Sequence, residues 1–379
     1  MPGASWTNAN PRSMLIRVFI TLCALLTWPS LCMAAPVNSQ TQAKVQTQAL
    51  TPLPDQLLAQ ALQAVREQRL TDAEADINRL LKLQPDFHLA QLIRGDILLA
   101  RSRPITRLGA VDGKPPAEDK LDDLRDEARA RLQRHLHHPD PRLLPAAVLQ
   151  ISPAQPFVLL ADAARSRLYL FENIAGEPRL LRDYYLSIGR MGTEKRREGD
   201  KKTPLGVYRI TTHLPDQRLT DFYGAGAFPL NYPNAWDRAQ GRTGHGIWLH
   251  GVPSDTYSRA PNSSDGCLVV TNPDLVELRR FIQIGQTPVI IAGHVEWMDR
   301  SAWTTQRKTL LATFQKKTRK TDLRQASLFL DPQERLATID LPARNGPPEN
   351  LYLHRQKGRW HLITSGHTQP HQKLARNDP

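Results

Sequence analysis

Apolar residues recur at helix spacing from Leu58 to Leu132, and from Phe157 onward they alternate at strand spacing. One layer of structure cannot satisfy both periods, so the change of period divides the chain. In DQLLAQALQAVREQRLTDAEADINRLLKLQPDFHLAQLIRGDILLARS, the positions Leu58, Leu62, Val65, Ile77, Leu80, Leu81, Leu89, Leu92 and Ile93 predict consecutive helices. Thr71 or Asp72 is expected to cap the second of them and Pro85 to end it. DKLDDLRDEARARLQRHL adds a charged helix with Leu121, Leu124, Ala128 and Leu132 on one side. Its acidic start and basic end suit the backbone dipole.

PFVLLADAARSRLYLFEN predicts two strands joined through DAARS, and RLLRDYYLSIGR, LGVYRITTHL, GIWLHGVP and TPVIIAGH predict further strands between Gly-rich turns. NPDLVELRRFIQIG is the one helix expected among them, opening at Asn272 or Asp274 and closing at Gly285. Beyond His294, SAWTTQRKTLLATFQKKTR is amphipathic and helical in pattern. ASLFLDPQERLATIDLP and ENLYLHRQKGRWHLITSG predict antiparallel strands, the last pair turning at Lys357-Gly358. Ala61 and Gly95 lie 34 residues apart with Ala73 between them, so the helical part resembles a tetratricopeptide-like hairpin, with a plain bundle as the alternative. The closing helix-then-strands order loosely resembles a nuclear-transport-factor-like cone at the level of fold alone. The expected architecture is multidomain α+β: a signal peptide over 1–35, a linker over 36–54, a helical tetratricopeptide-like region over 55–138, a linker over 139–155, a mostly-β unit over 156–294 and a small accessory α+β unit over 300–368.

The signal peptide is read from Arg12 and Arg17 flanking the start of MLIRVFITLCALLTW, followed by Pro29 and the small-residue stretch CMAAP, with cleavage near Ala34 or Ala35. The apolar run is too short for a spanning helix, so no transmembrane anchor is expected after cleavage and the destination is the periplasm. Export changes the cysteine arithmetic. Cys23 and Cys32 leave with the signal, and Cys267 remains as a lone thiol in an oxidising compartment, where an idle cysteine is a liability. A net charge of +13 invites a nucleic-acid reading, but the basic residues are spread over EKRREGDKK, RARLQRH, QRK and KKTRK without interleaved aromatics. A solvated surface or attraction to an anionic envelope is the simpler account, and no nucleic-acid partner is expected.

Cys267 follows a Ser-Ser-Asp-Gly lead-in, and His250 closes the apolar strand pattern GIWLH seventeen positions upstream. A thiol becomes a useful nucleophile when an imidazole can take its proton. Strand alternation sets His250 on the side of Trp248 and Gly246 and puts His245 on the other. A zinc site from His245, His250 and Cys267 would need histidines from opposite faces of one strand, so no metal and no cofactor are expected. Gly266 lets the backbone approach a substrate closely, and amides around Cys267 suit an acyl-transfer oxyanion.

IWLHG, a loop and SSDGCLVVTNPDL together resemble the signature of the L,D-transpeptidase (YkuD-type) catalytic domain. LSIGRMGTEKRREGDKKTPLGVYRI is similar to that family's strand-turn segment at Gly199, Thr203, Pro204 and Gly206, and RSRLYLFEN to its opening strand pair. The resemblance covers residues 156–294. It implies that Cys267 is the nucleophile and His250 its general base, that the Gly251 carbonyl orients the imidazole, and that Gly266 helps form the oxyanion site, with Ser264 and Asp265 in the supporting turn. The implied substrates are peptidoglycan stem peptides: the thiolate attacks a diamino-acid carbonyl, expels D-alanine and leaves a thioester for an amine or water. Two positions depart from the family, Asp265 where many members carry His and Val269 where many carry Asn or Arg; both bear on the acceptor rather than on the nucleophile. Asp265 reads equally as a turn residue bonding its own backbone. Tyr257, Arg259 and Arg190 are candidate substrate contacts, with Lys195 beside Arg190 in the same Gly-rich turn.

The leading expectation is an exported L,D-transpeptidase. The alternative within the same chemistry is a hydrolase that trims stems or detaches proteins from the wall. The alternative of another class is a non-catalytic envelope scaffold whose helical region recruits protein partners.

Overall fold

The computed structural model describes residues 53–109, 118–318, 321–331, 335–342 and 349–367. The signal peptide expected over 1–35 and all but the last two residues of the linker expected over 36–54 lie outside the described residues. Four helices come first, α1 (Leu53–Arg66), α2 (Leu70–Leu83), α3 (His88–Ala100) and α4 (Glu118–Leu136). Leu58, Ile77, Leu80, Leu89 and Ile93 form their buried core as the spacing requires, with Leu62, Val65 and Leu81 packed at its margin. Neither Thr71 nor Asp72 caps α2. Arg69 holds the cap position without a side-chain bond to the backbone, and its guanidinium pairs with Asp72 at 2.5 Å. Ala61 and Ala73 are fully buried. A methyl group on Gly95 would meet nothing within 4 Å, so no close helix approach requires glycine there.

The stretch 139–155 is not a linker. It contains β1 (Leu144–Pro145) and β2 (Val148–Gln150), and their residues are buried. Their partners lie far along the chain, and runs of two and three residues among prolines carry no local period, which hides them from the sequence. After them come β3 (Phe157–Asp162), β4 (Arg167–Ile174), β5 (Glu177–Tyr185), β6 (Ile188–Gly189), β7 (Gly206–Arg209), β8 (Ala227–Pro229), α5 (Ala235–Ala239), β9 (Trp248–His250), β10 (Asn262–Ser264), β11 (Leu268–Val269), α6 (Asn272–Leu278), β12 (Pro288–Ala292) and β13 (Trp297–Met298). One sheet has the order β5-β4-β3-β12-β7 and another β11-β9-β8, while β6 pairs with β10 and β1 with β13. The two larger sheets share a core that includes Leu159, Leu168, Tyr184, Leu249, Leu268 and Val289. α6 opens at Asn272, one of the two expected starts. Thr271 accepts from the Asp274 amide at 3.2 Å and caps it, and the helix ends well before Gly285.

The last unit is α7 (Arg300–Lys317) followed by β14 (Ser327–Asp331), β15 (Leu336–Leu341), β16 (Glu349–Gln356) and β17 (Arg359–His367). Its sheet order is β17-β16-β15-β14-β2, so β2 from the expected linker completes it. Lys357 and Gly358 turn the last hairpin with positive φ, and Gln356 pairs with Arg359. Trp303 and Phe314 of α7 pack on Ala337, Ile339, Leu351 and Leu353. Toward the central unit, Arg209 pairs with buried Asp340, and the Trp236 ring lies tilted against His354 with centroids 5.2 Å apart.

Charged side chains join the helices to the strands. Asp183 takes Arg134 at 2.5 Å and Arg167 at 2.7 Å, all three buried. Burial alone would raise this carboxyl, but the two guanidiniums hold it well below the usual carboxylate range. Arg131 pairs with Asp55 and, at 2.8 Å, with Glu127.

Candidate active site

β9 and β11 run side by side and parallel, with Leu268 beside Leu249 and Val269 beside His250. Leu249 and Leu268 are fully buried in the core, so the alternation turns Trp248, His250 and Cys267 to the opposite face. One strand spacing across and two residues along put the Cα atoms of Cys267 and His250 roughly 8 Å apart. This register, not the seventeen-residue loop, brings the two together.

His250 is 1% exposed. Its Nδ1 lies 2.7 Å from the Gly251 carbonyl. Nδ1–H donates there, which leaves Nε2 as the free acceptor. A methyl group on Gly251 would sit 2.1 Å from Asn272 Oδ1, so glycine is required by close approach. The Tyr223 and Phe222 rings cover the imidazole at 5.1 and 5.9 Å. Burial lowers the His250 pKa to about 4, opposed by the bond to Gly251 and reinforced by the Arg259 cation.

Cys267 keeps part of its surface open, and its thiol donates to the Gly246 carbonyl at 3.3 Å. Burial pushes the thiol up to about 11; the Trp248 amide, Arg259 and Lys195 oppose this while Asp265 adds to it. In the free protein the pair therefore rests as neutral thiol and neutral imidazole. Ser264 Oγ donates to the Cys267 carbonyl at 2.7 Å and accepts the Gly266 amide at 3.1 Å. The Gly266 amide is therefore engaged and does not serve the expected oxyanion role in this state. Gly266 is needed for another reason: its φ is +127°, and a methyl group would lie 2.7 Å from the Lys202 carbonyl. Among the described residues no acceptor is found for the Cys267 amide, which leaves it as the candidate oxyanion donor.

Residues 156–291 match the family model of the YkuD L,D-transpeptidase catalytic domain. This part of the chain is a YkuD-type domain. Ninety residues, 23% of the chain, are 34% identical to YafK from Escherichia coli strain K12; they make up 31% of YafK, so the chain spans about a third of that relative. Among solved structures, Bd1075 from Bdellovibrio bacteriovorus aligns over 61% of this chain and all of its own, with 24% identity and a TM-score of 0.50. The helical cell shape determining protein Pgp2 from Campylobacter jejuni aligns over 59% of this chain and 94% of its own, with 19% identity and a TM-score of 0.43.

Other expected residues of the YkuD domain fall differently. Asp265 does not bond its own turn; it is exposed and pairs with Arg190 at 2.9 Å, so each occupies the other's charge. Arg259 lies over the Phe222 ring at 4.4 Å, within electrostatic reach of both Cys267 and His250. Lys195 is buried and bound to Asp200 at 2.8 Å. Tyr257 is no substrate contact. It is 6% exposed, its ring packs on Phe87 at 4.6 Å, and its amide donates to the Asp86 carbonyl at 3.1 Å. Its burial depends on α2, α3 and the turn between them, which a reading of the loop by itself does not include.

Three residues of the site were missed. Tyr223 and Phe222 of DFYG roof His250, and an aromatic pair in a polar loop was the available signal. Asn272 accepts the Ala225 and Val252 amides at 2.9 and 3.1 Å and donates to the Val252 carbonyl at 2.8 Å, clamping the turn after His250. A recess of ≈610 Å³ lies elsewhere, lined by Leu62, Ile93, Asp96, Ile97, Leu108 and Leu132 among the helices. None of its lining residues belongs to the YkuD domain. The described residues hold no cluster of metal-ligating side chains and no helix long and apolar enough to cross a membrane.

Proposed function

We propose that this chain is an exported, periplasmic L,D-transpeptidase that acts on peptidoglycan stem peptides, with Cys267 as nucleophile and His250 as general base. What supports the reading most is that Cys267 and His250 share one face of paired strands while His250 Nδ1 is committed to the Gly251 carbonyl. His250 Nε2 accepts the thiol proton as Sγ bonds to the carbonyl carbon of the diamino-acid residue. The resting pair is neutral, so proton transfer accompanies attack, and Arg259 and the Trp248 amide favour the sulfur's developing charge. The Cys267 amide donates to the oxyanion. Collapse breaks the peptide bond, the departing D-alanine nitrogen receives the proton from His250, and a thioester remains. An acceptor amine then attacks the thioester and gives its proton to His250, which returns it to sulfur as the C–S bond breaks. Water in place of the amine yields a carboxylate.

The test is incubation of the purified protein with tetrapeptide-bearing muropeptides. D-alanine release is expected, and Cys267→Ala is expected to abolish it; a Cys267→Ala variant with unchanged turnover removes the reading. Mass spectrometry of the products separates transfer, seen as 3-3 cross-links, from hydrolysis, seen as shortened stems. A scaffold would give neither.

A further inference from the structure

The loop from Val252 to Pro261 joins the two reactive positions, and the N-terminal helices hold its middle. The Ser258 hydroxyl donates to Glu127 Oε1 at 2.6 Å, and Glu127 is 2% exposed. The Tyr257 amide donates to the Asp86 carbonyl, and the Tyr257 ring rests on Phe87. Arg131 is the hub of this contact. Its guanidinium lies 4.0 Å from the Tyr185 ring centroid, 4.9 Å from Phe87 and 5.9 Å from Tyr257, while pairing with Glu127 and Asp55. Tyr185 in turn donates its hydroxyl to the Arg259 carbonyl at 2.9 Å, and Ser187 donates to the same oxygen at 3.0 Å. Residues 257–259 are thus fixed on the helix side at Tyr257 and Ser258 and on the strand side at the Arg259 carbonyl. The only part left to extend into the site is the Arg259 side chain, and it lies across Phe222, the ring that roofs His250.

We propose that the helical region is a positioning element of the active site: Glu127, through the Ser258 hydroxyl, and Arg131, through the rings of Tyr185 and Tyr257, hold the loop so that the Arg259 guanidinium stands beside Cys267 and His250. Glu127 and Arg131 touch no reacting atom in this scheme and act through Arg259. The inference rests on the acyl-transfer reading for its kinetic consequence, but its structural consequence is measurable without any substrate. A charged acceptor makes the Ser258 bond one of the stronger hydrogen bonds of the fold, so its loss is expected to free the loop while the helices stay folded on their own core.

The test is a double-mutant cycle in the full-length protein between Ser258→Ala and Arg259→Ala. Each single substitution is expected to lower kcat for tetrapeptide muropeptides by about tenfold and to change KM little. The double variant is expected to be no worse than Arg259→Ala. Ser258→Thr, which keeps the hydroxyl, is expected to restore kcat, and Glu127→Ala, which removes the acceptor oxygen, is expected to lower kcat as Ser258→Ala does. A role confined to stability gives the opposite pattern, with multiplicative effects and no rescue, and overturns the proposal. The same cycle is read a second way by iodoacetamide alkylation of Cys267 at pH 9, located by peptide mass spectrometry. The charged groups that reach this thiol are Asp265, Arg259 and Lys195, so loss or displacement of Arg259 slows alkylation, about tenfold for each unit of thiol pKa. A non-additive alkylation cycle in a protein that turns over no muropeptide keeps this inference and removes the function. An additive alkylation cycle in a protein that does turn over muropeptides removes the inference and keeps the function.

Discussion

The sulfur of Cys267 rests as a thiol, and this separates it from cysteines activated in advance by an imidazolium. With the thiol pushed up to about 11 and His250 lowered to about 4, no ion pair forms at neutral pH in the free protein. Iodoacetamide is therefore expected to alkylate Cys267 slowly at pH 7 and about tenfold faster per pH unit up to about pH 10. A rate that already levels off near pH 7 would contradict the burial argument and indicate a preformed thiolate. Cys267 and His250 were legible as a candidate pair at this scale because each stands in a short, distinctive run of residues. Tyr257 was misplaced for the converse reason: a tyrosine in a polar loop carries no mark of the phenylalanine, 170 positions earlier, that buries it.

Among the elements, the turn after His250 depends on α6, because the first residue of that helix supplies the clamp. Asn272→Ala leaves the Ala225 and Val252 amides without their acceptor, and is expected to cost about 1–3 kcal/mol in urea unfolding. The same change is expected to reduce turnover, since the Gly251 carbonyl that orients His250 belongs to the released turn. Unchanged stability and turnover would show that another group holds it. Helices and long strands were readable because their periods repeat several times within one segment. β1, β2, β9 and β11 have only two or three residues each, and their pairing is decided by partners elsewhere in the chain.

At the scale of the whole molecule, the contact between helices and strands is a buried ionic interface with its own pH dependence. Asp274 is buried near Asp55, and burial first and the Asp55 charge second raise its pKa to about 7, against the Thr271 hydroxyl, Arg131 and Arg167. Its folded pKa lies above its unfolded value of about 3.8, so the folded state retains a proton that the unfolded state loses, and stability falls as pH rises from about 4 to 7. His250 has the reverse sign: its folded pKa of about 4 lies below 6.5, and stability falls as pH drops through that interval. The two slopes oppose each other over the same range. Asp274→Asn mimics the protonated carboxyl, so its stability relative to the unsubstituted protein is expected to improve between pH 4.5 and pH 7, by a difference on the order of 3 kcal/mol. Urea midpoints at both pH values check this, and an equal change at both would show that Asp274 is ionised in the interface throughout.

Periodicity by itself determined that helices precede a strand-rich unit and that another α+β unit follows, because alternation and helical spacing are properties of neighbouring residues. The residues around His250 and Cys267 likewise determined the family that residues 156–291 match, because the thiol, the imidazole and their flanking glycines sit in contiguous runs. Only the tertiary structure decided that the apparent linker completes the last sheet, that Tyr257 belongs to the helices, and that Asp265 faces Arg190. Each of those outcomes is a pairing across a long stretch of chain, set by which buried surfaces and charges meet, and no local pattern encodes it.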